Sequence, residues 1–279
     1  IGDVMQYVKS RNIDSNTLVF FTSDNGPWMT KRLAGGSAAL FRGAKENTWE
    51  GGVREPAFAY WPGMIDSGSR SVEITATYDI FETIITIANA TQYIPNDGRV
   101  YDGRDMSDII FNLNGGSSKH DCIYYWGGMP NDTKSCPYNQ TSPQWPLCQG
   151  LWAVRCGQYK AHWVTRDQNG SHELQNPPLL FNVNWDPSEK HPIWPNNDQY
   201  NNIMSTLTDA KWKHLNTIEK VPNQIEMGTN KDNWFCGDPN SQQKYPSYPN
   251  CTSNPENWEA FVCNPVCLDF DRCGTSYPG

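Results

Sequence analysis

The stretch that decides the fold is residues 17–27, TLVFFTSDNGP. Its first six residues form a continuous run of apolar, β-branched and aromatic side chains. Such a run is typical of a strand covered on both faces, as in the parallel or mixed central sheet of an α/β fold. Residues 23–27, SDNGP, follow as a strong turn signal. Because α/β folds bind ligands in the loops after such strands, we expect this turn to lie near a ligand.

Two polar residues of this turn are candidate metal ligands. Asp24 and Asn25 offer a carboxylate and a carboxamide oxygen side by side. These hard donors suit Ca²⁺ or Mg²⁺ better than zinc. The same residues also favour a plain β-turn, so the pattern alone leaves both interpretations open.

A second candidate lies in the Gly-flanked loop 43–56, GAKENTWEGGVREP. Lys45 could neutralise an anionic substrate oxygen near the metal, although an ordinary solvated lysine is the alternative. We interpret Arg54 and Glu55 as ion-pairing and capping groups rather than catalytic ones.

The remaining patterns predict two domains, residues 1–115 and 116–279. The first contains helical patterns at 3–11, 78–90 and 106–113 and a strand at 56–61. The second contains strand-like runs at 122–126, 151–156, 159–165 and 179–183, then a helix over 201–218 and a Cys-rich tail. We therefore expect part of an α/β domain, followed by a smaller antiparallel sheet with one long helix.

His162 lies on the predicted strand 159–165. It could reach a substrate cleft between the two domains. The alternative is a packed, hydrogen-bonded strand histidine.

Charge and hydropathy exclude two classes of partner. The 279 residues carry 22 Lys and Arg against 30 Asp and Glu, a net charge of −8. Without an extended basic segment, nucleic-acid binding is not expected. No apolar run approaches the ~18 residues that a membrane span needs.

The nine cysteines and five N-x-S/T sequons predict a secretory-pathway glycoprotein, lysosomal or extracellular. All nine cysteines lie in the C-terminal part of the chain, where disulfides are favoured over a zinc site at Cys263, Cys267 and Cys273. The sequons are those of Asn89, Asn131, Asn139, Asn169 and Asn250.

Two disulfide pairings are expected. Cys122 and Cys156 lie on strands that could be neighbours, and Cys136 and Cys148 bracket a loop that resembles an insertion. Connectivity cannot be deduced from sequence alone, and the odd number of cysteines leaves one thiol over.

The motifs closely resemble those of the sulfatase family, in particular its branch of arylsulfatase A and N-acetylgalactosamine-6-sulfatase. The resemblance rests first on residues 17–27 and on FRGAKENTWEGGVREPAFAYWPG at 41–63. Further similar blocks occur in the same order: TYDIFETIITIANA at 77–90, DGRDMSDII at 102–110, GQYKAHW at 157–163 and PPLLFNVNWDPSE at 177–189. The resemblance implies an alkaline-phosphatase-like fold, with a large mixed-sheet domain and a smaller C-terminal antiparallel-sheet domain.

The resemblance also implies a site. In this family three Asp and one Asn hold a divalent cation, so Asp24 and Asn25 would be two of the four ligands of Ca²⁺ or Mg²⁺. Lys45 would contact the sulfate. The family's nucleophile is a formylglycine made from the Cys of C-x-P-x-R or C-x-A-x-R, and these 279 residues contain neither motif.

We therefore expect the C-terminal portion of a sulfatase, inactive by itself. The formylglycine and the other ligands would come from an upstream segment of the same protein or from a partner chain. A related phosphate-ester hydrolase and a non-catalytic extracellular glycoprotein derived from a sulfatase stay open. The choice of substrate among aryl, glycolipid and glycosaminoglycan sulfates also stays open. The same holds for the formation of a homo-oligomer.

Overall fold

The computed structural model describes residues 1–112, 115–127, 150–167 and 171–218. Residues up to Thr217 form one compact unit. The boundary predicted near residue 116 stays a prediction.

In residues 1–112, the first part of the chain contains four helices and two short strands. The helices are α1 (Gly2–Ser10), α2 (Glu50–Val53), α3 (Asp79–Ile87) and α4 (Ser107–Ile110), and the strands are β1 (Val19–Thr22) and β2 (Ala57–Tyr60). Short 3₁₀ helices occur at Asp14–Asn16, Met29–Gly35 and Thr91–Tyr93. Helices α1, α3 and α4 and both strands lie within or close to the segments that their sequence patterns predict, whereas no pattern predicted the short helix α2.

Among its described residues, the second part forms a four-stranded antiparallel sheet and one long helix, as predicted. The strands are β3 (Cys122–Trp126), β4 (Leu151–Cys156), β5 (Tyr159–Arg166) and β6 (His172–Asn182), in the order β3-β4-β5-β6. A tight hairpin turn at Gly157-Gln158 joins β4 to β5. Helix α5 (Tyr200–Thr217) follows.

Helix α5 and the sheet form the main apolar core. Leu151, Val154, Ala161 and Leu180 of the sheet cluster with Leu207 and its neighbours on α5. Burying each large aliphatic side chain stabilises the fold by about 1.5–3 kcal/mol. This packing makes the sheet a rigid support for the loops that contact it.

Strand β1 is less buried than its continuous apolar run predicts. It pairs antiparallel with β2 over Val19–Thr22. Phe21 and Phe58 stack with ring centroids 5.3 Å apart, and each is 37% exposed. Among the described residues, β2 is the only strand beside β1, so one edge and part of one face lack protein cover. Helix α1 buries none of its residues either.

Helix α3 has Tyr78 at its N-cap and Asp79 as its first residue, rather than Asp79 as the cap that an aspartate at a helix start favours. The Asp79 carboxylate turns back and accepts hydrogen bonds from Ala76 N at 2.7 Å and Arg104 N at 2.8 Å. His120 Nε2 lies 2.8 Å from the same carboxylate. Asp79 thus joins α3 to the segment that leads into β3.

Cys122 and Cys156, which were expected to pair, face each other across β3 and β4 and are joined by a disulfide. The predicted Cys136–Cys148 pair lies outside the described residues, as do four of the sequons, those of Asn131, Asn139, Asn169 and Asn250. Asn89 is described and its side chain is exposed.

None of the described helices has the length and apolarity needed to cross a membrane. The longest, α5, has 18 residues and carries Asp209, Lys211 and Lys213.

Candidate active site

The turn after β1 presents its two candidate ligands differently. Asp24 is exposed and Asn25 is half-buried. The Asn25 Nδ2 donates a hydrogen bond to Gly26 O at 3.0 Å, and Ser23 Oγ donates to Asn25 O at 3.1 Å. Because Nδ2 is occupied by the backbone, the Asn25 Oδ1 atom is left to accept a hydrogen bond or bind a cation.

The loop that carries Lys45 is hydrogen-bonded to this turn. Gly26 N–H donates to Gly52 O at 3.1 Å, and Lys45 N–H donates to Pro27 O at 3.1 Å. A Cβ atom at Gly26 would clash with the backbone of Gly51, so the close approach requires glycine there. The two segments that the sequence analysis singled out therefore lie side by side.

The Lys45 side chain contacts an exposed tryptophan. Its Nζ lies 4.8 Å from the ring centroid of Trp28, and Lys31 Nζ lies 5.0 Å from the same centroid. Such cation–π contacts favour an ammonium group over the ring face. The Lys45 ammonium group therefore lies over the ring of Trp28, which follows Asn25 by three residues in the sequence.

The donor set of this turn suits a hard divalent cation but does not complete a site. Asp24 and Asn25 supply adjacent oxygens, and one carboxylate oxygen of nearby Glu55, Oε1, is buried without a hydrogen-bond partner. Burial raises the pKa of Glu55, and the charge of Asp24 raises it further against the opposing effect of the Ser23 hydroxyl. Among the described residues, no cluster of three or more His, Cys, Asp or Glu side chains is arranged to hold a metal.

A buried ionic network anchors the Lys45 loop to the four-stranded sheet. Lys160 of β5 lies 2.9 Å from Glu50 Oε1 and 3.4 Å from Glu189 Oε1. The Glu50 N–H donates to Glu189 Oε2 at 2.6 Å. All three side chains are 1% exposed or less. The Glu50 Oε2 atom makes no hydrogen bond, although Arg54 and Arg155 approach it to 3.6 and 3.5 Å.

The charges of this network stabilise one another. The ammonium of Lys160 and the imidazole of His162 lower the pKa of Glu189 to about 2 despite its burial. Burial opposes the charge of Lys160, but the two carboxylates outweigh it and raise the Lys160 pKa. Glu189 also has a φ of 51°, which is uncommon for a residue other than glycine and is maintained by its contacts.

His162 is fully buried inside the same network. Its Nε2 lies 2.7 Å from Glu189 Oε1, its Nδ1 lies 3.2 Å from Thr48 Oγ1, and its ring lies 4.3 Å from that of Trp49. Burial lowers the pKa of His162, so the neutral ring donates through Nε2 and accepts through Nδ1. This geometry is that of a packed strand histidine, and a role in substrate binding stays a prediction.

The network makes the stability of this unit sensitive to acid. A histidine whose pKa is depressed in the folded state stabilises the fold above its unfolded pKa of about 6.5 and loses that contribution at lower pH. Glu189, with a pKa lowered to about 2 in the folded state, loses its contribution between about pH 4.5 and 2. We expect urea denaturation to show a smaller free energy of unfolding at about pH 5 than at about pH 7.5.

The variant His162→Gln should flatten this dependence between about pH 7 and 5, because it removes the titrating ring. The matched control is His191→Gln, which alters an exposed histidine. An unchanged pH slope in His162→Gln would show that another group is responsible.

The structure joins the Lys45 loop to the Asp24-Asn25 turn through backbone hydrogen bonds, and it places His162 in the buried network that anchors this loop to the sheet. Sequence reasoning missed Glu50, Lys160 and Glu189. A lysine in the middle of the apolar strand YKAHWV was the one available signal, since a charge there demands a buried partner.

Comparison with known families matches two models to the chain. One, described as "C-terminal region of aryl-sulfatase", matches residues 118–267, and the other, described as "Sulfatase", matches residues 1–90.

Individual proteins that are similar to this chain are sulfatases as well. Steryl-sulfatase of Rattus norvegicus is 31% identical over 81% of this chain and 40% of its own length. Arylsulfatase A of Bos taurus is 29% identical over 92% of this chain and 49% of its own length. The solved PsFucS1 sulfatase from Pseudoalteromonas sp. is 28% identical, with a TM-score of 0.63 over 80% of this chain and 41% of its own.

The solved neighbours define the class of fold, which is the alkaline-phosphatase-like fold of sulfatases. The chain belongs to the sulfatase family and is similar to arylsulfatase A and N-acetylgalactosamine-6-sulfatase over most of its length. It spans about two fifths to one half of the length of the relatives it matches.

Proposed function

We propose that this chain is the C-terminal portion of an arylsulfatase-type sulfuric ester hydrolase. Asp24 and Asn25 supply two ligands of a divalent cation, and Lys45 contacts the sulfate of the substrate. The observation that supports this most directly is the pair of hydrogen bonds, Lys45 N to Pro27 O and Gly26 N to Gly52 O, that hold the two motifs together.

The arrangement suits the chemistry of a sulfate ester. Such an ester is anionic, so an oxygen nucleophile reaches sulfur only where the protein has gathered positive charge. The ammonium of Lys45 attracts an SO₃ oxygen and stabilises the negative charge that grows there during ester cleavage. A bound Ca²⁺ or Mg²⁺ would supply further positive charge and favour the reactive form of the nucleophile.

Residues outside these 279, in the same protein or in a partner chain, supply the nucleophile and the remaining carboxylates. Two observations support this proposal. The chain contains no C-x-P/A-x-R motif, and the β1–β2 pair leaves Phe21 and Phe58 partly exposed where a larger sheet would cover them. We expect the 279-residue chain alone to show no turnover of an aryl sulfate under conditions in which the natural protein that contains it is active.

The cellular setting is part of the same proposal. The exposed side chain of Asn89 would accept a glycan, and the disulfide between Cys122 and Cys156 suits an oxidising compartment. A lysosomal or extracellular sulfatase fits both features.

The cation is tested with Asp24→Asn in the natural protein that contains these residues. Asparagine keeps the turn-forming side chain but removes the charge, so a plain turn would tolerate it. We expect Ca²⁺ affinity, measured as the concentration that half-restores activity after chelation, to fall about tenfold or more. The free energy of unfolding should stay within about 0.5 kcal/mol of wild type.

The matched control is Asp66→Asn, which alters an exposed aspartate away from this turn. Equal Ca²⁺ dependence in wild type and Asp24→Asn would reject the metal role.

A further inference from the structure

A small pocket opens beside the Lys45 side chain. Its volume is about 50 Å³. The loop after the Asp24-Asn25 turn supplies Trp28 and Met29, the Lys45 loop supplies residues 44–47, and the end of β5 supplies Arg166 and Asp167. Since Lys45 is the proposed sulfate contact, this pocket is where the alcohol part of the ester would lie.

One wall of the pocket is polar and contains an ion pair. Arg166 Nη1 lies 2.9 Å from Glu46 Oε2, and Nη1 also donates to Glu46 O at 3.3 Å. Among the described residues, Arg166 Nη2 donates no hydrogen bond and is left to meet a ligand. Glu46 has a φ of 76°, a rare value for a residue other than glycine.

The chemistry of this wall separates the candidate alcohols. A sterol or a large aryl group needs a continuous apolar wall, but the apolar lining consists of Trp28, Met29 and Ala44. A sugar ring presents a flat C–H face to an aromatic side chain and a rim of hydroxyl groups that both donate and accept. Glu46, Asp167 and Arg166 provide acceptors and donors for such a rim.

We propose that this pocket binds the sugar ring of a sulfated carbohydrate, and that Arg166 and Glu46 determine this specificity. The ring lies on Trp28 while its sulfate meets Lys45, and its hydroxyl groups hydrogen-bond to the Glu46–Arg166 pair. This inference rests on the proposed function, because it takes Lys45 as the sulfate contact.

The test compares kcat/KM for galactose 6-sulfate and for 4-nitrophenyl sulfate in the natural protein that contains these residues. We expect Arg166→Met to lower the ratio of the sugar value to the aryl value about tenfold. Glu46→Gln should lower the same ratio in the same direction. Trp28→Ala should lower both values, because either ring stacks there.

The matched control is Arg99→Met, which breaks an exposed Arg–Asp pair of similar length, 2.8 Å, away from the pocket; its ratio should equal that of wild type. A ratio unchanged in both Arg166→Met and Glu46→Gln would overturn the sugar site while leaving the sulfatase proposal standing. Failure of the wild-type protein to hydrolyse either ester, or any other sulfate ester, would overturn the proposed function and the inference together.

Discussion

Replacing Lys160 with methionine should destabilise the described unit by about 3–5 kcal/mol, because it leaves two buried carboxylates without their shared cation. Lys160 is 0% exposed and contacts both Glu50 and Glu189. Methionine has nearly the same length, so packing is largely kept and the loss reports the charge. Urea denaturation monitored by circular dichroism measures the difference.

The chain offers a matched control in Lys211, a second buried lysine. Its Nζ lies 4.4 Å from the ring centroid of Trp163, and among the described residues it makes no ion pair. Burial lowers the pKa of Lys211 to about 8, so its charge already disfavours the folded state. Lys211→Met should therefore lose far less stability than Lys160→Met, and equal losses would contradict the ionic explanation.

The double variant Lys160→Met/Glu50→Gln provides a further check. Removing one of the stranded carboxylates should restore part of the lost stability. A double variant less stable than Lys160→Met would show that Glu50 contributes mainly through its contacts with Arg54 and Arg155.

Replacing Lys45 with alanine should lower kcat for sulfate esters by about 10³-fold in the natural protein that contains these residues. In the proposed role, the ammonium acts where negative charge grows on the SO₃ group, so its removal should affect kcat more than KM. Lys45 bonds to its neighbours through its backbone N–H, which alanine keeps, and the fold should persist. Steady-state kinetics and a thermal melt together measure both effects.

Lys31→Ala is the matched control, since Lys31 Nζ lies at nearly the same distance from the Trp28 ring. If the general loss of positive charge near Trp28 were responsible, the activity of both variants would fall by the same factor. We expect Lys31→Ala to retain activity within about threefold of wild type. Equal loss in the two variants would contradict a specific sulfate contact by Lys45.

Local sequence patterns predicted much of the architecture. The strand-like runs at 151–156 and 159–165 correspond to β4 and β5, and the predicted helix over 201–218 corresponds to α5. Side-chain periodicity and turn preferences predict such elements, and both are properties of residues that are close together in the sequence. The family membership likewise followed from motifs that stand in a fixed order along the chain.

The same reasoning overestimated the burial of β1. A run such as TLVFFT is favourable in a strand that is buried on both faces. Whether the strand is buried depends on which other strands and helices pack against it. In the described structure, β1 has β2 beside it and keeps Phe21 partly exposed.

The sequence by itself marked Asp24, Asn25 and Lys45 as candidate site residues, because they lie in motifs that resemble those of sulfatases, although the residue types alone left a plain turn and a solvated lysine open. Only the tertiary structure decided what holds them. The hydrogen bond from Lys160 to Glu50 joins residues 110 positions apart, and that from Glu50 N to Glu189 joins residues 139 apart. No local pattern predicts which buried charges will meet, because that choice depends on how the sheet and the loop pack together.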